Sequence, residues 1–293
     1  MRVAVVGVGV MGSALAGRLL DTGATVAVYD VAADKCRALA ARGAQVAGSA
    51  RDAAAAATFT ITSLNSADVV ERAVFGAGGI AEAAAADRLL VDMSSIDPGR
   101  TAALAARLRA DTGMGFVDAP LSGGAPAAAR GALTLMVGGE SADVARAEPL
   151  FAKLAARTTH FGGAGSGQTV KLINQIFCAT HFFAVAEAVR FAEQHGVDAT
   201  QIPAALAGGR ADSRIMQEFM AKFARRDFSP TGRIDNMLKD LETVQAAALA
   251  KRLPLPVTSL IADLHRMLVA GGYGSADSAE YMRLFDLAAD RGT

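Results

Sequence analysis

The feature that most limits what this chain can become is its first thirty residues. Val3, Ala4, Val5 and Val6 form a short, unbroken apolar run, the pattern of a strand buried on both faces of a parallel sheet. The run opens directly into Gly7-Val8-Gly9-Val10-Met11-Gly12, a G-x-G-x-x-G. An amphipathic helical pattern through Leu15, Leu19 and Leu20 follows, and Gly23 is a natural stop. Each glycine has a separate physical reason to be there. Gly7 allows a tight turn, Gly9 lets backbone approach a pyrophosphate, and Gly12 lets helix and strand pack closely. The helix N-terminus then offers free N–H groups and positive dipole to phosphate, with Val10 and Met11 in its first turn. A second strand over 25–29 ends in Asp30, where an acidic residue would hold the ribose hydroxyls of NAD. Its charge would repel a 2′-phosphate, and Val31, Ala32 and Ala33 bring no arginine to receive one. NAD is therefore favoured over NADP. The structural alternative is that Asp30 only caps the next helix.

Further α/β alternation follows, with strand patterns at 59–64, 89–92, 116–119, 133–137 and 159–161. Ligands bind beyond the carboxyl ends of strands in open α/β sheets. Leu64, Asn65, Ser95, Ser122, Gly123 and Gly124 lie at such ends. Any one of them is ordinary turn chemistry; as a set they mark a site. The alanine-rich stretches 53–57 and 83–86 read as helix surface.

After Gly162 the strand patterns give way to long apolar-periodic segments. Helices are expected over 168–195, 199–207, 213–223, 235–251, 257–268 and 278–288. The expected fold is an α/β Rossmann-type doubly wound domain, residues 1–163, joined by a long helix to an all-α domain, residues 164–293. In the first of these helices Val170, Ile173 and Phe177 recur at helical spacing, and a helix this apolar should be buried. Lys171, Asn174, Gln175, Cys178 and His181 share one stripe of it. Polar groups there need partners. A satisfied core ion pair or a domain joint meets that need as well as a catalytic site does.

Composition narrows the function classes. Of 293 residues 52% are apolar and 20% charged, enough for a sizeable core, and the formal net charge is zero. No basic stripe suggests nucleic acid. Two distant cysteines, Cys36 and Cys178, give neither a disulfide framework nor metal spacing, so a reducing, cytoplasmic setting is expected. His160, His181, His195 and His265 form no ligand motif, so no metal is expected. Arg2 followed by the apolar run to Val10 could pass for a signal peptide, but the glycine spacing explains that run better. No membrane association is expected. Apolar surface beyond what one helical layer can bury points to self-association.

Taken together, 7–12, 91–95, 118–124, 167–175 and 239–241 resemble the β-hydroxyacid dehydrogenase family along essentially the whole chain. The resemblance implies a hydride transfer between nicotinamide and a small β-hydroxy acid or its semialdehyde. It implies Lys171 as general acid or base with Asn174 beside it, and Ser122, Gly123, Gly124 and Gln175 around the substrate carboxylate. The cofactor would be held by Gly7, Gly9, Val10, Met11, Gly12, Asp30, Leu64, Asn65, Ser95 and Lys239. Burial lowers an amine's pKa toward the range useful for proton transfer. Family members are typically dimers or tetramers. Asn174-Gln175, Gly208-Gly209 and Arg233-Ile234-Asp235 look closest to the tartronate semialdehyde reductase branch. Two departures stand out: Thr231-Gly232 replaces a usual phenylalanine, and His181 stands where an amide is commoner. A bulkier 3-hydroxy acid or threonate is the alternative substrate. The related 6-phosphogluconate dehydrogenases carry His-Asn where this chain has Asn174-Gln175, and imine reductases typically lack the lysine. A non-catalytic NAD sensor or scaffold is the alternative of another class.

Overall fold

The computed structural model describes residues 1–286. It divides into two compact units, Met1–Lys171 and the chain from Leu172 onward.

In the first unit nine strands form one sheet: β1 (Arg2–Val6), β2 (Thr25–Tyr29), β3 (Gln45–Val46), β4 (Phe59–Thr62), β5 (Leu89–Asp92), β6 (Gly115–Asp118), β7 (Leu121–Ser122), β8 (Leu133–Gly139) and β9 (Ala155–His160). The order is β3-β2-β1-β4-β5-β6-β8-β7, with β9 also paired to β8. The six strands from β3 to β6 are parallel, in registers such as Val3↔Val26, Val3↔Phe59 and Asp92↔Asp118. β8 runs antiparallel to β6. The order reverses between β1 and β4, so a crevice opens beyond their carboxyl ends.

Side-chain alternation along the strands feeds two cores, one on each face of the sheet. Val3, Val5, Val26, Ile61 and Val91 pack with Leu15 and Leu19 of α1 (Val10–Asp21) and Phe151 and Leu154 of α7 (Ser141–Leu154). Ala4, Val6, Ala27, Leu90 and Phe116 pack with α3 (Ala50–Ala55), α4 (Ala67–Phe75) and α5 (Pro98–Thr112). The short helices α2 (Arg37–Ala40) and α6 (Gly124–Arg130) complete this unit. α5 is bounded by local chemistry: the Asp97 carboxylate caps Arg100 N at 2.8 Å, Pro98 follows, and Gly113 ends the helix in the left-handed region.

Several details differ from expectation. Ala53 and Ala54 are fully buried rather than helix surface, because the small side chain lets α3 sit close against Ala4 and Ala27. Residues 84–86 are not helical: a 3-10 turn ends at Ala83, and the Arg88 guanidinium bonds the carbonyls of Ala83 and Ala55. The stretch is too short to nucleate a helix alone. β3 and β7 have two residues each, too few to leave a period in the sequence.

The second unit is built from α8 (Ser166–Gln194), whose first turns belong to the first unit, α9 (Ile202–Leu206), α10 (Arg214–Ala224), α11 (Ile234–Ala250), α12 (Pro256–Leu268) and α13 (Arg283–Asp286). Its core is aromatic and methionine-rich: Phe183, Met216, Met220, Phe223, Leu241, Ile261 and Tyr281. Phe183 and Tyr281 lie 4.8 Å apart, and Phe182 meets Phe219 edge-on at 4.9 Å. The expected helix over 278–288 begins as a 3-10 turn at Ser278–Met282, continues as α13, and its last residues lie outside the described ones.

α8 is long and apolar enough, by length and composition, to cross a membrane. Its buried stripe is Leu172, Gln175, Ala179, Phe183 and Ala186. The Ile173 and Phe177 positions expected inside are instead 46% and 59% exposed. The helix carries apolar residues on more than one face. Packing of Phe183 into the aromatic core selects which face turns in, a choice that spacing alone does not encode.

Candidate active site

The cofactor half is built by backbone. Gly7 has φ 94°, and a Cβ there would lie 2.4 Å from the Ser63 carbonyl oxygen. A Cβ on Gly12 would lie 1.8 Å from the Gly7 carbonyl oxygen. Gly9, by contrast, faces open space, with nothing within 4 Å of its would-be Cβ. The loop is therefore compact behind and open in front, as a cradle for a pyrophosphate requires. α1 starts on Gly9 with no side-chain cap, leaving first-turn N–H groups for a ligand, and Val10 projects outward while Met11 is half-buried. These residues fit a nicotinamide dinucleotide.

Asp30 stands at the end of β2 and accepts from Val8 N at 2.8 Å and Ala32 N at 2.9 Å, with Lys35 Nζ at 3.4 Å. Burial pushes its carboxyl up, but the two N–H groups and the Lys35 ammonium outweigh that and hold it below the usual carboxylate range. Lys35 was not anticipated. It brings a cation to the ribose-side acid two residues beyond the positions searched for arginine.

Around the crevice, Leu64 N donates to Ser94 Oγ at 3.0 Å, Asn65 is exposed and Ser95 half-buried. Ser122 pairs across to Thr134 in β8, and the exposed Gly123 and Gly124 have φ 117° and 67°, a backbone only glycine adopts freely. Lys171 Nζ donates to the Leu121 carbonyl at 2.9 Å, directly before Ser122. The lysine and the 122–124 loop are thus brought together.

Beneath them lies a polar cluster that the sequence reading did not assign. The Asp118 carboxylate accepts from Gly165 N at 2.8 Å and Gln168 N at 2.9 Å, at the start of α8. The fully buried Gln168 side chain donates to the Ser94 carbonyl at 2.8 Å and accepts from Ile96 N at 3.2 Å. Asp92, beside Asp118 in the sheet, accepts from Thr62 Oγ1 and Ser94 N. Burial pushes Asp118 up to about 6; the Gly165 and Gln168 N–H groups oppose this, and the Asp92 charge adds to it. Burial also pushes Asp92 up, against hydrogen bonds from Ser94 and Thr62.

In the second unit Asn174 Nδ2 donates to Gln175 Oε1 at 2.8 Å. Gln175 Nε2 in turn donates to Asp240 Oδ2 at 2.5 Å, and Lys239 Nζ lies 2.9 Å from Asp240 Oδ1. Gln175 and Asp240 are both buried. Asp240 is therefore the hub that joins the Asn174–Gln175 pair to Lys239. Sequence reading had only its place beside Lys239 as a signal. Gly232 is exposed with open space at its Cβ, and its N–H donates to the Asp277 carboxylate at 3.2 Å. Among the described residues no group of histidine, cysteine and carboxylate side chains could hold a metal.

Residues 2–163 match the model of the NAD binding domain of 6-phosphogluconate dehydrogenase. Residues 165–285 match the NAD-binding domain of NADP-dependent 3-hydroxyisobutyrate dehydrogenase. The chain belongs to the β-hydroxyacid dehydrogenase family. It is 34% identical to 2-hydroxy-3-oxopropionate reductase of Escherichia coli over 99% of both chains. It is 32% identical to the NAD-dependent L-serine dehydrogenase of Pseudomonas aeruginosa, over 97% of this chain and 98% of that one. The solved Mycobacterium tuberculosis 3-hydroxyisobutyrate dehydrogenase with L-serine superimposes with a TM-score of 0.86 at 29% identity, covering 97% and 98% of the two chains. This β-hydroxyacid dehydrogenase is thus a nicotinamide-dependent oxidoreductase with a Rossmann-type first domain and an all-helical second domain.

Proposed function

We propose that this dehydrogenase interconverts a small β-hydroxy acid and its semialdehyde, with tartronate semialdehyde and glycerate as the preferred pair. The observation that carries the reading is the Lys171 ammonium 2.9 Å from the Leu121 carbonyl, one residue from the substrate loop. The cofactor supplies or accepts the hydride when held by Gly7, Gly9, Val10, Met11, Gly12, Asp30, Leu64, Asn65, Ser95 and Lys239. In the reducing direction Lys171 gives a proton to the carbonyl oxygen as negative charge builds there. In the oxidising direction it takes the proton from the hydroxyl. Asn174 orients Lys171 or that hydroxyl, and Gln175 sets the Asn174 amide through their 2.8 Å bond. Ser122, Gly123 and Gly124 receive the carboxylate.

Asp30 favours NAD(H), and Lys35 beside it tempers the discrimination against NADP(H) rather than abolishing it. The deciding assay follows NADH consumption with tartronate semialdehyde, and NAD reduction with glycerate, 3-hydroxyisobutyrate, threonate, L-serine and larger 3-hydroxy acids, with NADP(H) in parallel. Efficient reduction of tartronate semialdehyde with NADH is the expected result. Turnover of larger acids alone would move the substrate to a bulkier 3-hydroxy acid or threonate. The open space at Gly232 favours that second reading. Binding of NAD without turnover of any acid would return the chain to a sensor or scaffold role.

The exposed apolar side chains of α8 and α12, Ile173, Phe177, Phe191, Val257, Leu260 and Met267, support a homodimer or homotetramer. A monomer by light scattering at micromolar concentration would contradict that. A cytoplasmic setting is part of this reading.

A further inference from the structure

The start of α8 is held in an unusual way. A helix begins with N–H groups that lack intrahelical partners. Here two of them, on Gly165 and Gln168, are taken by a carboxylate from strand β6, far away in sequence, and not by a neighbouring cap residue. The first turn is also pressed onto the sheet without a side chain between. A Cβ on Gly167 would lie 2.4 Å from the Met136 carbonyl oxygen and 2.8 Å from Asp118 Oδ2. A Cβ on Gly138 would lie 2.6 Å from Asp118 Oδ1 and 2.8 Å from Gly167 N. The two glycines let the helix approach the sheet closely enough for the Asp118 bonds to form.

Gln168 fixes the helix in a second direction. Its amide spans the Ser94 carbonyl and Ile96 N–H, while Ser94 Oγ receives Leu64 N. The loops that follow β4 and β5 are thereby tied to the helix residue that precedes Lys171 by three positions. Residues three apart on a helix are neighbours on its surface. A rotation of the first turn would break the Gln168 bonds and carry Lys171 Nζ away from Leu121 O.

We propose that Asp118 and Gln168 are positioning residues for Lys171, locking the first turn of α8 to β6 and to the 94–96 loop so that the ammonium stays at the substrate loop. The proposal rests on the reading of Lys171 as the proton-transfer group. Neither residue touches the reacting atoms in this account. Their loss therefore lowers turnover and leaves substrate and cofactor affinity within a few-fold.

The test is a double-mutant cycle in the full chain, read with the best substrate of the panel above. Lys171→Ala, Gln168→Leu and the double variant are compared in kcat and KM. Gln168→Leu should lower kcat by about 10- to 100-fold, the scale of a small misplacement of a catalytic group. It should cause no further loss in the Lys171→Ala background. Amide hydrogen exchange over 165–171 in the cofactor-free protein should quicken. Gln168→Glu keeps the acceptor for Ile96 N but donates to Ser94 O only when protonated. Its relative kcat should therefore recover as pH falls. Asp118→Asn, which presents an N–H₂ to one of two N–H donors, should resemble Gln168→Leu. Equal losses from Gln168→Leu with and without Lys171 would overturn the proposal, as would unchanged exchange or a Gln168→Glu profile parallel to wild type. If Lys171→Ala itself keeps its turnover, the Lys171 assignment fails first and the positioning role falls with it.

Discussion

In the first unit β1, β4 and β5 are buried almost throughout, and the candidate cofactor-binding groups are backbone just beyond their carboxyl ends. In the second unit the corresponding groups are side chains on amphipathic helices: Asn174 on Gln175, Gln175 on Asp240, Lys239 beside Asp240. The first unit shapes its glycine loop through positions with no room for a side chain, Gly7 and Gly12. The second builds its polar chain by joining two adjacent pairs, Asn174–Gln175 and Lys239–Asp240, through one contact between residues 65 positions apart, Gln175–Asp240. One arrangement tolerates almost nothing at a few positions. The other depends on long-range register, and its helices leave Phe177, Phe191 and Leu260 facing outward.

The largest effect belongs to the residue where the two units meet along the chain. Lys171→Ala should cut kcat by at least ~10²-fold, the low end for general acid–base catalysis, while titration of NADH fluorescence shows nearly unchanged binding. Within the first unit the glycines should separate cleanly. Gly12→Ala forces a Cβ onto the Gly7 carbonyl and should cost about 1–3 kcal/mol of stability in urea unfolding, with loss of NADH binding. Gly9→Ala meets no protein atom and should leave the unfolding midpoint almost unchanged, yet still weaken NADH. If both variants lose stability alike, the division between a packed back and an open front of the loop is wrong.

This contrast also explains what the chain disclosed before folding. The glycine loop, Asp30 and the ends of β4 to β6 were legible because local backbone demands leave local residue choices. Lys171 and its neighbours were legible by resemblance. Asp118, Gln168 and Asp240 were not assigned roles, since each acts through a partner brought close only by the sheet or by helix packing. The buried face of α8 was misjudged for the same reason: Ile173 and Phe177 have the right spacing, but Leu172, Ala179 and Phe183 meet the core. The two-residue strands β3 and β7 carry too few residues for any period.

The helical unit has its own buried polar pair. His265 Nδ1 lies 2.8 Å from the Ile261 carbonyl, which makes Nδ1 the donor, so Nε2 accepts from Tyr281 Oη at 3.0 Å. Tyr281→Phe leaves that buried acceptor bare and should cost about 1–3 kcal/mol at pH 8 by urea unfolding. Burial holds His265 below its ordinary 6.5, opposed by the Ile261 carbonyl. The unfolded chain therefore takes up the proton first. The stability tied to a neutral His265 is present above pH 6.5 and is lost as pH falls below it.

Asp118 should behave in the opposite sense, and this is the finest test of the contrast. Its carboxyl is raised from 3.8 to about 6, so between those values the folded state holds the proton and the unfolded chain has released it. Stability from this group is greatest below about pH 4, falls as pH rises through 6, and is then flat. Asp92→Asn keeps an acceptor for Thr62 Oγ1 and Ser94 N while removing the like charge beside Asp118. It should stabilise the nucleotide-binding unit more at pH 8 than at pH 5, where Asp118 is already largely protonated. The measurement is the pair of urea midpoints for wild type and variant at the two pH values, beside the same pair for Tyr281→Phe. Equal gains at both pH values would mean that the Asp92–Asp118 repulsion is not expressed. The raised Asp118 pKa would then rest on burial alone.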